Sequence, residues 1–158
     1  MLAWADILKV AALHRVVDTF GLIPYSQMGG GELTVPYDSV EEVYRAMIAE
    51  LDAAIGVLAA TAGMDYSYYA AFDRVYGGDM LNWTRFANSL KLRMALRMVY
   101  VAPALAESTA KSAVSHPVGV LTQNSENASV SVQINPFYFN IYTWGDHRAG
   151  ADIVNYMK

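Results

Sequence analysis

Residues 76–98 read YGGDMLNWTRFANSLKLRMALRM, and this stretch decides the fold of the chain. Asp79 follows two glycines and is a residue type that caps helix N-termini, so the stretch predicts a helix from Asp79 to about Val99. The glycines suggest a phosphate-binding turn, and the arginines suggest a nucleic-acid-binding helix. The rest of the sequence argues against both functions.

The glycines at positions 77 and 78 do not match a phosphate-binding motif. They lack the GxxxxGK[ST] spacing, and no lysine follows to contact phosphates. A second glycine run, GGGE at residues 29–32, follows no predicted strand and opens no helix, which excludes a dinucleotide fingerprint. We interpret Gly77 and Gly78 as the residues that let the chain turn sharply into the Asp79 cap.

The polar side of the predicted helix carries Arg85, Ser89, Arg93 and Arg97. Nucleic-acid binding needs a basic surface, whereas this chain has a formal net charge of −4. We therefore expect no nucleic-acid partner and predict a structural role for the arginines, so that Arg93→Ala would lose stability. Their predicted partners are acids of adjacent helices, such as Asp18, Glu50 or Asp52.

Two apolar arcs lie on nearly opposite sides of the same helix. The first holds Trp83, Phe86, Ala87, Leu90, Met94 and Met98. The second holds Leu92, Ala95, Leu96 and Val99. An ordinary surface helix has one apolar stripe, so two arcs predict a central helix packed between neighbours, as in stacked helix pairs.

Two helices are predicted before this stretch. Helical spacing covers residues 2–20, with Gly21 as the C-terminal stop, and the predicted stripe is Trp4, Ile7, Leu8, Ala11, Ala12, Val16 and Phe20. Ser39 and Glu42 then form a capping box for a second helix. Its predicted buried stripe is Val43, Met47, Leu51, Ala54, Ile55 and Leu58.

A fourth helix follows, with Pro103 in its first turn and its body through Val114. The short connection requires it to pack antiparallel to the third. A last helix begins near residue 149. The prediction is a single all-α domain over residues 1–158, with antiparallel helix pairs, long aromatic-rich loops and at most a short strand near residues 118–134.

The sequence predicts no catalytic site, no metal site and no cofactor. There is no cysteine, and the three histidines, His14, His116 and His147, lie in unrelated segments without a second ligand at helical spacing. No GxSxG elbow is present, and no acid/base pair can be placed.

The remaining candidates for function are the aromatic segments MDYSYYAAF (64–72) and PFYFNIYTW (136–144). Aromatic faces beside hydrogen-bonding groups suit pyranose rings, whose faces are apolar and whose rims are polar. The alternative is that these rings pack the loops onto the helical core. The predicted ligand contacts are Tyr66, Tyr68, Tyr69, Trp144 and Arg148.

Several segments resemble the SusD/RagB-like family. Residues 76–98 resemble its YGGD…W…KFANSLKLRLAMR segment, VVDTFGLIPYSQM (16–28) its D-x-F-G-x-(I/V)-P-Y-S element, and YDSVEEVYRAMIAELDAAIGVL (37–58) its YDSxEEIY helix. GVLTQNSENASV (119–130) and RAGADIVNYMK (148–158) follow in family order. The residues that carry the motifs are Asp18, Gly21, Pro24, Tyr25, Gly77, Gly78, Asp79, Trp83, Asn88, Arg93 and Arg97.

The resemblance implies a tetratricopeptide-like helical fold and a non-catalytic role. SusD-like proteins are outer-membrane lipoproteins of the Bacteroidetes that sit on a SusC-like TonB-dependent transporter and capture glycans, or in some cases peptides, for import. By this resemblance we expect a cell-surface location. The lipidated N-terminal cysteine of the family is not found here, and we expect an internal fragment of a longer protein whose anchor lies elsewhere.

Ligand contacts vary within the family, so no binding residue is carried over by motif, and Leu22 departs from the polar residue usual at its position. Three functions stay open at this point. The leading hypothesis is glycan capture. The second is a helical-repeat module that binds a protein, or a peptide-binding member of the same family. The third is a hydrolase.

Overall fold

The computed structural model describes residues 2–61, 63–64, 66–130, 138–145 and 155–157. They belong to two compact units. The first, called here the helical unit, is Met1–Ala128, and the second, the C-terminal unit, is Ser129–Lys158. The expectation of one domain over residues 1–158 stays a prediction.

The helical unit is built from the predicted helices: α1 (Leu2–Phe20), α2 (Val40–Thr61), α3 (Met80–Met98) and α4 (Pro103–Val114). Its described residues contain no β-strand, although Ile23 and Asp38 form an isolated antiparallel bridge. The all-α prediction is therefore confirmed. The sequence allowed a short strand near residues 118–134. Residues 118–130 form no strand, and residues 131–134 lie outside the described residues.

The ends of α1 and α2 follow the local sequence signals. Gly21 adopts φ +80° and donates its N–H to Val17 O at 2.9 Å, which ends α1 as predicted. Ser39 Oγ accepts from Glu42 N at 3.2 Å, and Glu42 Oε2 accepts from Ser39 N at 2.9 Å. The predicted capping box is confirmed.

The start of α3 also matches the prediction. Asp79 Oδ1 accepts a hydrogen bond from Asn82 N at 3.0 Å, so Asp79 is the N-cap. Gly77 and Gly78 have φ of +62° and +88°, values that favour glycine, and they turn the chain into the cap. Pro103 stands in the first turn of α4, as expected.

Contacts between α1 and α2 show that these helices run antiparallel. Near the middle, Lys9 Nζ lies 2.8 Å from Glu50 Oε1. Towards the end of α1, the Tyr44 hydroxyl donates to Asp18 Oδ1 at 2.5 Å. Because residue numbers rise along one helix as they fall along the other, α1 and α2 form an antiparallel pair. The predicted tetratricopeptide-like pairing is present here and again between α3 and α4.

Helix α3 is central, as predicted, and contacts each of the other helices. Lys91 is buried, and its ammonium donates to Asp52 on α2 and to Ser112 on α4. At the start of α3, the Trp83 ring lies 5.9 Å from that of Trp4 at the start of α1. Helices α1 and α3 therefore run parallel, with their N-termini at the same end of the unit.

The core confirms one predicted stripe and corrects two others. All six predicted residues of α2 are buried, together with Tyr44 and Ile48. In α1 the prediction was wrong for Leu8, Ala12 and Phe20, which are exposed. The residues that α1 buries are Ala3, Ile7, Val10, His14 and Val17. Helix α1 packs against both α2 and α3, so its buried face is set by two neighbours at once.

The two arcs of α3 are not equally covered. The first arc is buried, apart from half-buried Phe86. In the second arc Ala95 is buried, Leu92 is half-buried, and Leu96 and Val99 are exposed, so the prediction of a fully covered second arc was wrong. Helix α4 is short and buries only Ala106, Thr109 and Ala113. The second arc is therefore covered only in part.

The polar residues of α3 hold the chain that follows α4. Asn88 is buried, and its Nδ2 donates to Gly119 O at 2.9 Å. Ser89 Oγ accepts from Leu121 N at 2.8 Å, and Arg85 Nε donates to Val118 O at 3.3 Å. These side chains satisfy backbone groups of residues 118–121 that a neighbouring strand would otherwise satisfy.

The predicted pairing of the arginines holds only in part. Arg97 Nε lies 2.6 Å from Asp18 Oδ2, as expected. Arg85 instead pairs with Glu126, at 2.9 Å, in the segment that follows α4. Arg93 is exposed and makes no salt bridge with any acid in the part of the chain that the structure describes. Its predicted ion pair is therefore not formed.

The C-terminal unit contains a π-helical turn at Phe139–Thr143, where the sequence predicted an aromatic loop. Trp144 caps this turn, and its N–H donates to Phe139 O at 2.7 Å. The predicted last helix falls mostly outside the described residues, within which residues 155–156 are helical.

Candidate functional site

The aromatic loop, defined as residues 66–78, leads into α3 and carries three of the predicted ligand contacts. Two of them, Tyr66 and Tyr69, are half-buried. Their rings stack at 6.0 Å, and the Tyr69 ring lies edge-on to Trp4 of α1 at 5.7 Å. These two tyrosines pack the loop onto the helical unit, which was the alternative to ligand binding.

The third tyrosine, Tyr68, projects outward with Phe72. Their side chains are 78% and 76% exposed, and their ring centroids lie 6.4 Å apart at an angle of 51°. Tyr68 also contacts Tyr69 edge-on at 5.4 Å, so this exposed ring is backed by a packed one. We call the two outer rings the Tyr68–Phe72 face. Phe72 was not among the predicted contacts, although its position four residues after Tyr68 in a turn was a usable signal.

Asp73 organises the loop behind this face. Its buried carboxylate accepts four hydrogen bonds. Oδ1 accepts from Val75 N at 3.0 Å and from Tyr76 N at 3.1 Å. Oδ2 accepts from Gly78 N at 2.8 Å and from Trp83 Nε1 at 2.7 Å. A carboxylate has about four lone-pair positions that can accept hydrogen bonds, and these four donors occupy them. The buried charge therefore has a hydrogen-bond donor at each position.

The pKa of Asp73 reflects this arrangement. Burial by itself raises the pKa of the carboxyl, and the hydrogen bonds from Trp83, Gly78, Tyr76 and Val75 outweigh it, so that the pKa lies below its ordinary value of 3.8. The carboxylate is therefore ionised throughout the neutral range and accepts all four bonds there.

Tyr76 links the aromatic loop to the segment after α4. Its ring lies edge-on to Trp83 at 5.3 Å, and its hydroxyl donates to Glu126 O at 2.8 Å. Glu126 in turn pairs with Arg85 of α3 and accepts from Thr122 N at 2.8 Å. The loop is thus held from α1, from α3 and from residues 122–126.

A second group of rings lies in the C-terminal unit. Tyr138 and Tyr142 stack at 5.2 Å with an angle of 16°, and both are exposed. Trp144, a predicted contact, is 66% exposed and lies 6.2 Å from Phe139. The sequence did not single out Tyr138 and Tyr142, which the π-helical turn places side by side. Arg148 lies outside the described residues.

Residues of the D-x-F-G-x-I-P-Y-S element hold the loop between α1 and α2. Tyr25 N and Ser26 N both donate to Asp38 Oδ2, at 2.7 and 2.8 Å. The Tyr25 hydroxyl donates to Glu50 Oε2 at 2.5 Å, and its ring lies beneath the Lys9 ammonium. Pro24 precedes this buried tyrosine and is itself half-buried. The geometry gives these residues a structural task.

A groove of about 760 Å³ lies at the end of the helical unit that is far from the aromatic loop. Its lining is mainly apolar and comes from the ends of α1 and α3, the start of α2 and the turn into α4. Its charged groups are paired with one another, Asp18 with Arg97 and Glu41 with Arg45. The groove therefore has an apolar floor and no free charge among these four groups.

The groove and the aromatic loop are well separated. The loop contacts Trp4 near the start of α1, whereas the groove is lined by Asp18 near its end. At 1.5 Å rise per residue these positions are about 20 Å apart. A ligand at one does not touch the other unless it is long.

Neither a metal site nor a membrane-spanning helix is present within the described ranges. No group of three or more His, Cys, Asp or Glu side chains there is arranged to hold a metal ion. None of the helices in those ranges combines the length and the apolar character needed to cross a bilayer.

The antiparallel helix pairs place this chain among tetratricopeptide-like helical proteins. The family model for SusD-like proteins, described as Susd and RagB outer membrane lipoproteins, matches residues 1–158. The chain belongs to the SusD-like family, and the resemblance seen in its motifs is confirmed. Among curated proteins none matches it.

Solved structures agree with this assignment. The chain is similar to a chitin-binding SusD homologue from Flavobacterium johnsoniae, with 40% identity, a TM-score of 0.84 and 90% of this chain covered. It is also similar to SusD homologues from Bacteroides uniformis (42% identity, TM-score 0.84, 94% covered) and Bacteroides thetaiotaomicron (39%, 0.89, 99% covered). The match covers 30%, 31% and 32% of those three chains, respectively. The chain therefore spans about a third of their length.

Proposed function

We propose that this chain is the part of a non-catalytic glycan-capture protein that presents aromatic rings to an oligosaccharide. The observation that carries the proposal is the Tyr68–Phe72 face, two neighbouring rings of which each is about three-quarters exposed. Large apolar rings grouped at a surface mark a binding site, whereas single exposed rings do not.

The geometry of the rings supports a sugar ligand. A pyranose has apolar C–H faces that can lie on an aromatic ring and polar hydroxyls that stay in contact with water. The stacked Tyr138–Tyr142 pair in the C-terminal unit offers a second surface of the same kind. The chitin-binding relative at 40% identity makes an N-acetylglucosamine oligomer the first ligand to test.

Family membership supports the rest of the proposal. SusD-like proteins are described as outer membrane lipoproteins, so we propose that the protein acts at the cell surface. There it would deliver its glycan to a SusC-like TonB-dependent transporter for import. Its contact with the membrane would be made through a lipid anchor, in keeping with the description of the family.

The apolar groove favours a second candidate, a helical-repeat module or a peptide-binding family member. Its apolar floor suits an apolar segment of a protein better than a sugar. Its four charged side chains are paired with one another and leave none free to bind the hydroxyls of a sugar. Val101 is 84% exposed beside this groove. Val101→Glu would disturb binding there and leave the distant Tyr68–Phe72 face unchanged.

Calorimetric titration with soluble chitin oligosaccharides tests the glycan proposal, with oligomers of glucose and galactose beside them. Tyr68→Ala is expected to weaken binding at least about tenfold, because a loss of about 1.4 kcal/mol of contact energy corresponds to that factor. Tyr100→Ala is the matched control, since Tyr100 is fully exposed at the turn between α3 and α4. Equal affinities of wild type and Tyr68→Ala for every oligosaccharide bound would contradict the proposal.

A further inference from the structure

The residues under the Tyr68–Phe72 face form one hydrogen-bonded turn. Tyr69 N donates to Tyr66 O at 2.8 Å, and the amides of Phe72 and Asp73 both donate to Tyr69 O at 2.9 Å. These three hydrogen bonds join the backbone that carries the two exposed rings to Asp73, at the end of the turn. A displacement of the Asp73 backbone would therefore also displace the backbone of Phe72, its neighbour in the chain.

The far end of the aromatic loop closes against its beginning. Gly78 lies so near the Tyr66 carbonyl that a Cβ atom built on it would be 2.8 Å from that oxygen. Gly78 N donates to the Asp73 carboxylate, which also accepts from Trp83 Nε1. Gly78, at the end of the loop, thus meets Tyr66 at its beginning, and the Asp73 carboxylate links Gly78 to Trp83 of α3.

The exposed rings themselves have few contacts that would hold them. Tyr68 contacts Tyr69 edge-on and Phe72 at a tilt, and both outer side chains face water over most of their surface. The backbone beneath them therefore sets where each ring is attached and in which direction its Cα–Cβ bond points. A binding face that is already ordered before the ligand arrives loses less entropy on binding, which strengthens affinity.

We propose that Asp73 is a positioning residue for the glycan-binding face, and that it acts through Trp83 and Gly78 to hold Tyr68 and Phe72 in a binding-ready arrangement. This inference rests on the proposed function. It concerns a buried residue that no sugar touches, and it predicts an effect on affinity in a protein that stays folded.

The test variant is Asp73→Asn, which keeps the size of the side chain. The amide oxygen can still accept from Val75 and Tyr76, while the amide nitrogen now faces the N–H groups of Gly78 and Trp83 and cannot accept from them. Affinity for the chitin oligosaccharide is expected to fall about tenfold, because two side chains must then be ordered on binding.

Trp83→Phe provides a second, milder variant. It keeps a ring against Trp4 and Tyr76 and removes the indole donor to Asp73 together with part of the buried ring. A fall in affinity is expected here too, smaller than that of Asp73→Asn. In the double variant Asp73→Asn with Tyr68→Ala the two losses should not add, because Asp73 acts through the ring that Tyr68→Ala removes.

Asp79→Ala is the matched control for stability. It removes the N-cap bond to Asn82 at the start of the same helix, and both hydrogen bonds of the Asp79 carboxylate go to Asn82 of α3. It is expected to lower the midpoint of urea unfolding without changing affinity measured well below that midpoint. A merely structural role of Asp73 would give the same result as this control.

Each outcome of the titrations decides between the alternatives. Weaker binding by Asp73→Asn and Trp83→Phe, with Asp79→Ala unchanged, supports the inference. Wild-type affinity in both variants, beside a loss in Tyr68→Ala, overturns the inference and leaves the proposed function standing. An unchanged affinity in Tyr68→Ala overturns the glycan face and the inference together. Equal losses in Asp73→Asn and Asp79→Ala also overturn it.

Discussion

The Tyr44 hydroxyl donates a hydrogen bond to Asp18 Oδ1 at 2.5 Å and so joins α2 to the last turn of α1. The other oxygen of the same carboxylate lies 2.6 Å from Arg97 Nε at the end of α3. Burial and the bond to Asp18 raise the pKa of Tyr44 to about 12, so the phenol stays a donor at neutral pH. Asp18 therefore connects the three long helices of the unit.

Tyr44→Phe is expected to lower the free energy of unfolding by about 1 kcal/mol, which is typical for one buried hydrogen bond whose acceptor keeps another partner. Urea unfolding followed by circular dichroism measures this change. Tyr37→Phe is the matched control, because Tyr37 is 70% exposed in the loop between α1 and α2, and its stability should equal that of wild type. Equal stability of the two variants would show that the Tyr44–Asp18 bond contributes nothing.

His14 gives the helical unit a predictable dependence on pH. Burial lowers its pKa below the ordinary 6.5, the neighbouring Asp18 opposes this, and the charges of Arg93, Arg97 and Arg15 lower it further. Below pH 6.5 the unfolded chain binds a proton at this position before the folded chain does. The contribution of neutral His14 to the free energy of unfolding is therefore fully present above about pH 6.5. It is lost as the pH falls towards the pKa of His14 in the folded state.

Unfolding midpoints measured between pH 8 and pH 5 check this sign, with wild type compared to His14→Gln. The variant cannot titrate at position 14, so the difference between the two curves isolates His14 from His116 and His147. We expect the wild type to lose stability faster than His14→Gln as the pH falls. Parallel curves would mean that His14 has the same pKa in the folded and unfolded chains.

The two glycines before α3 should differ in their tolerance of alanine. Both have positive φ, which costs an alanine about 1–2 kcal/mol. A Cβ at Gly77 meets no atom within 4 Å, whereas one at Gly78 lies 2.8 Å from the Tyr66 carbonyl oxygen. Gly78→Ala must move backbone as well, so it should cost about 2–3 kcal/mol, more than Gly77→Ala. Thermal unfolding of both variants compares them directly, and equal midpoints would contradict the close approach at Gly78.

The helices were predictable from sequence because their signals are local. The Asp79 cap, the Ser39–Glu42 box, the Gly21 stop and Pro103 each act within one turn of chain, and all four lie where they were predicted. The long α2 stripe was also correct, since a helix with one main apolar face has one way to bury it.

The buried faces of α1 and α3 were harder to predict, because they depend on the number and size of neighbours. Leu8 and Phe20 fit a helical stripe and yet face water. Leu96 and Val99 belong to the predicted second arc of α3 and are likewise exposed. Ser89 belongs to the predicted polar side of α3, and its task is set by Leu121, more than thirty positions later.

The candidate site shows the same limit. The sequence marked the loop rich in tyrosine, and Tyr68 is exposed there as predicted for a contact. It did not distinguish Tyr68 from Tyr69, which packs on Trp4, sixty-five positions away by sequence number. The sequence did not name Phe72, Tyr138 and Tyr142 as contacts, because their exposure depends on how the turns fold.

The sequence by itself determined the helices, their caps and the family of this chain, because short-range hydrogen bonds and the order of distinctive motifs carry that information. The tertiary structure alone decided which rings of residues 66–72 meet the solvent and which pack on α1. It also decided that the Asp73 carboxylate joins the loop to Trp83. The physical reason is that burial and hydrogen bonding between distant segments exist only once the helices have packed together.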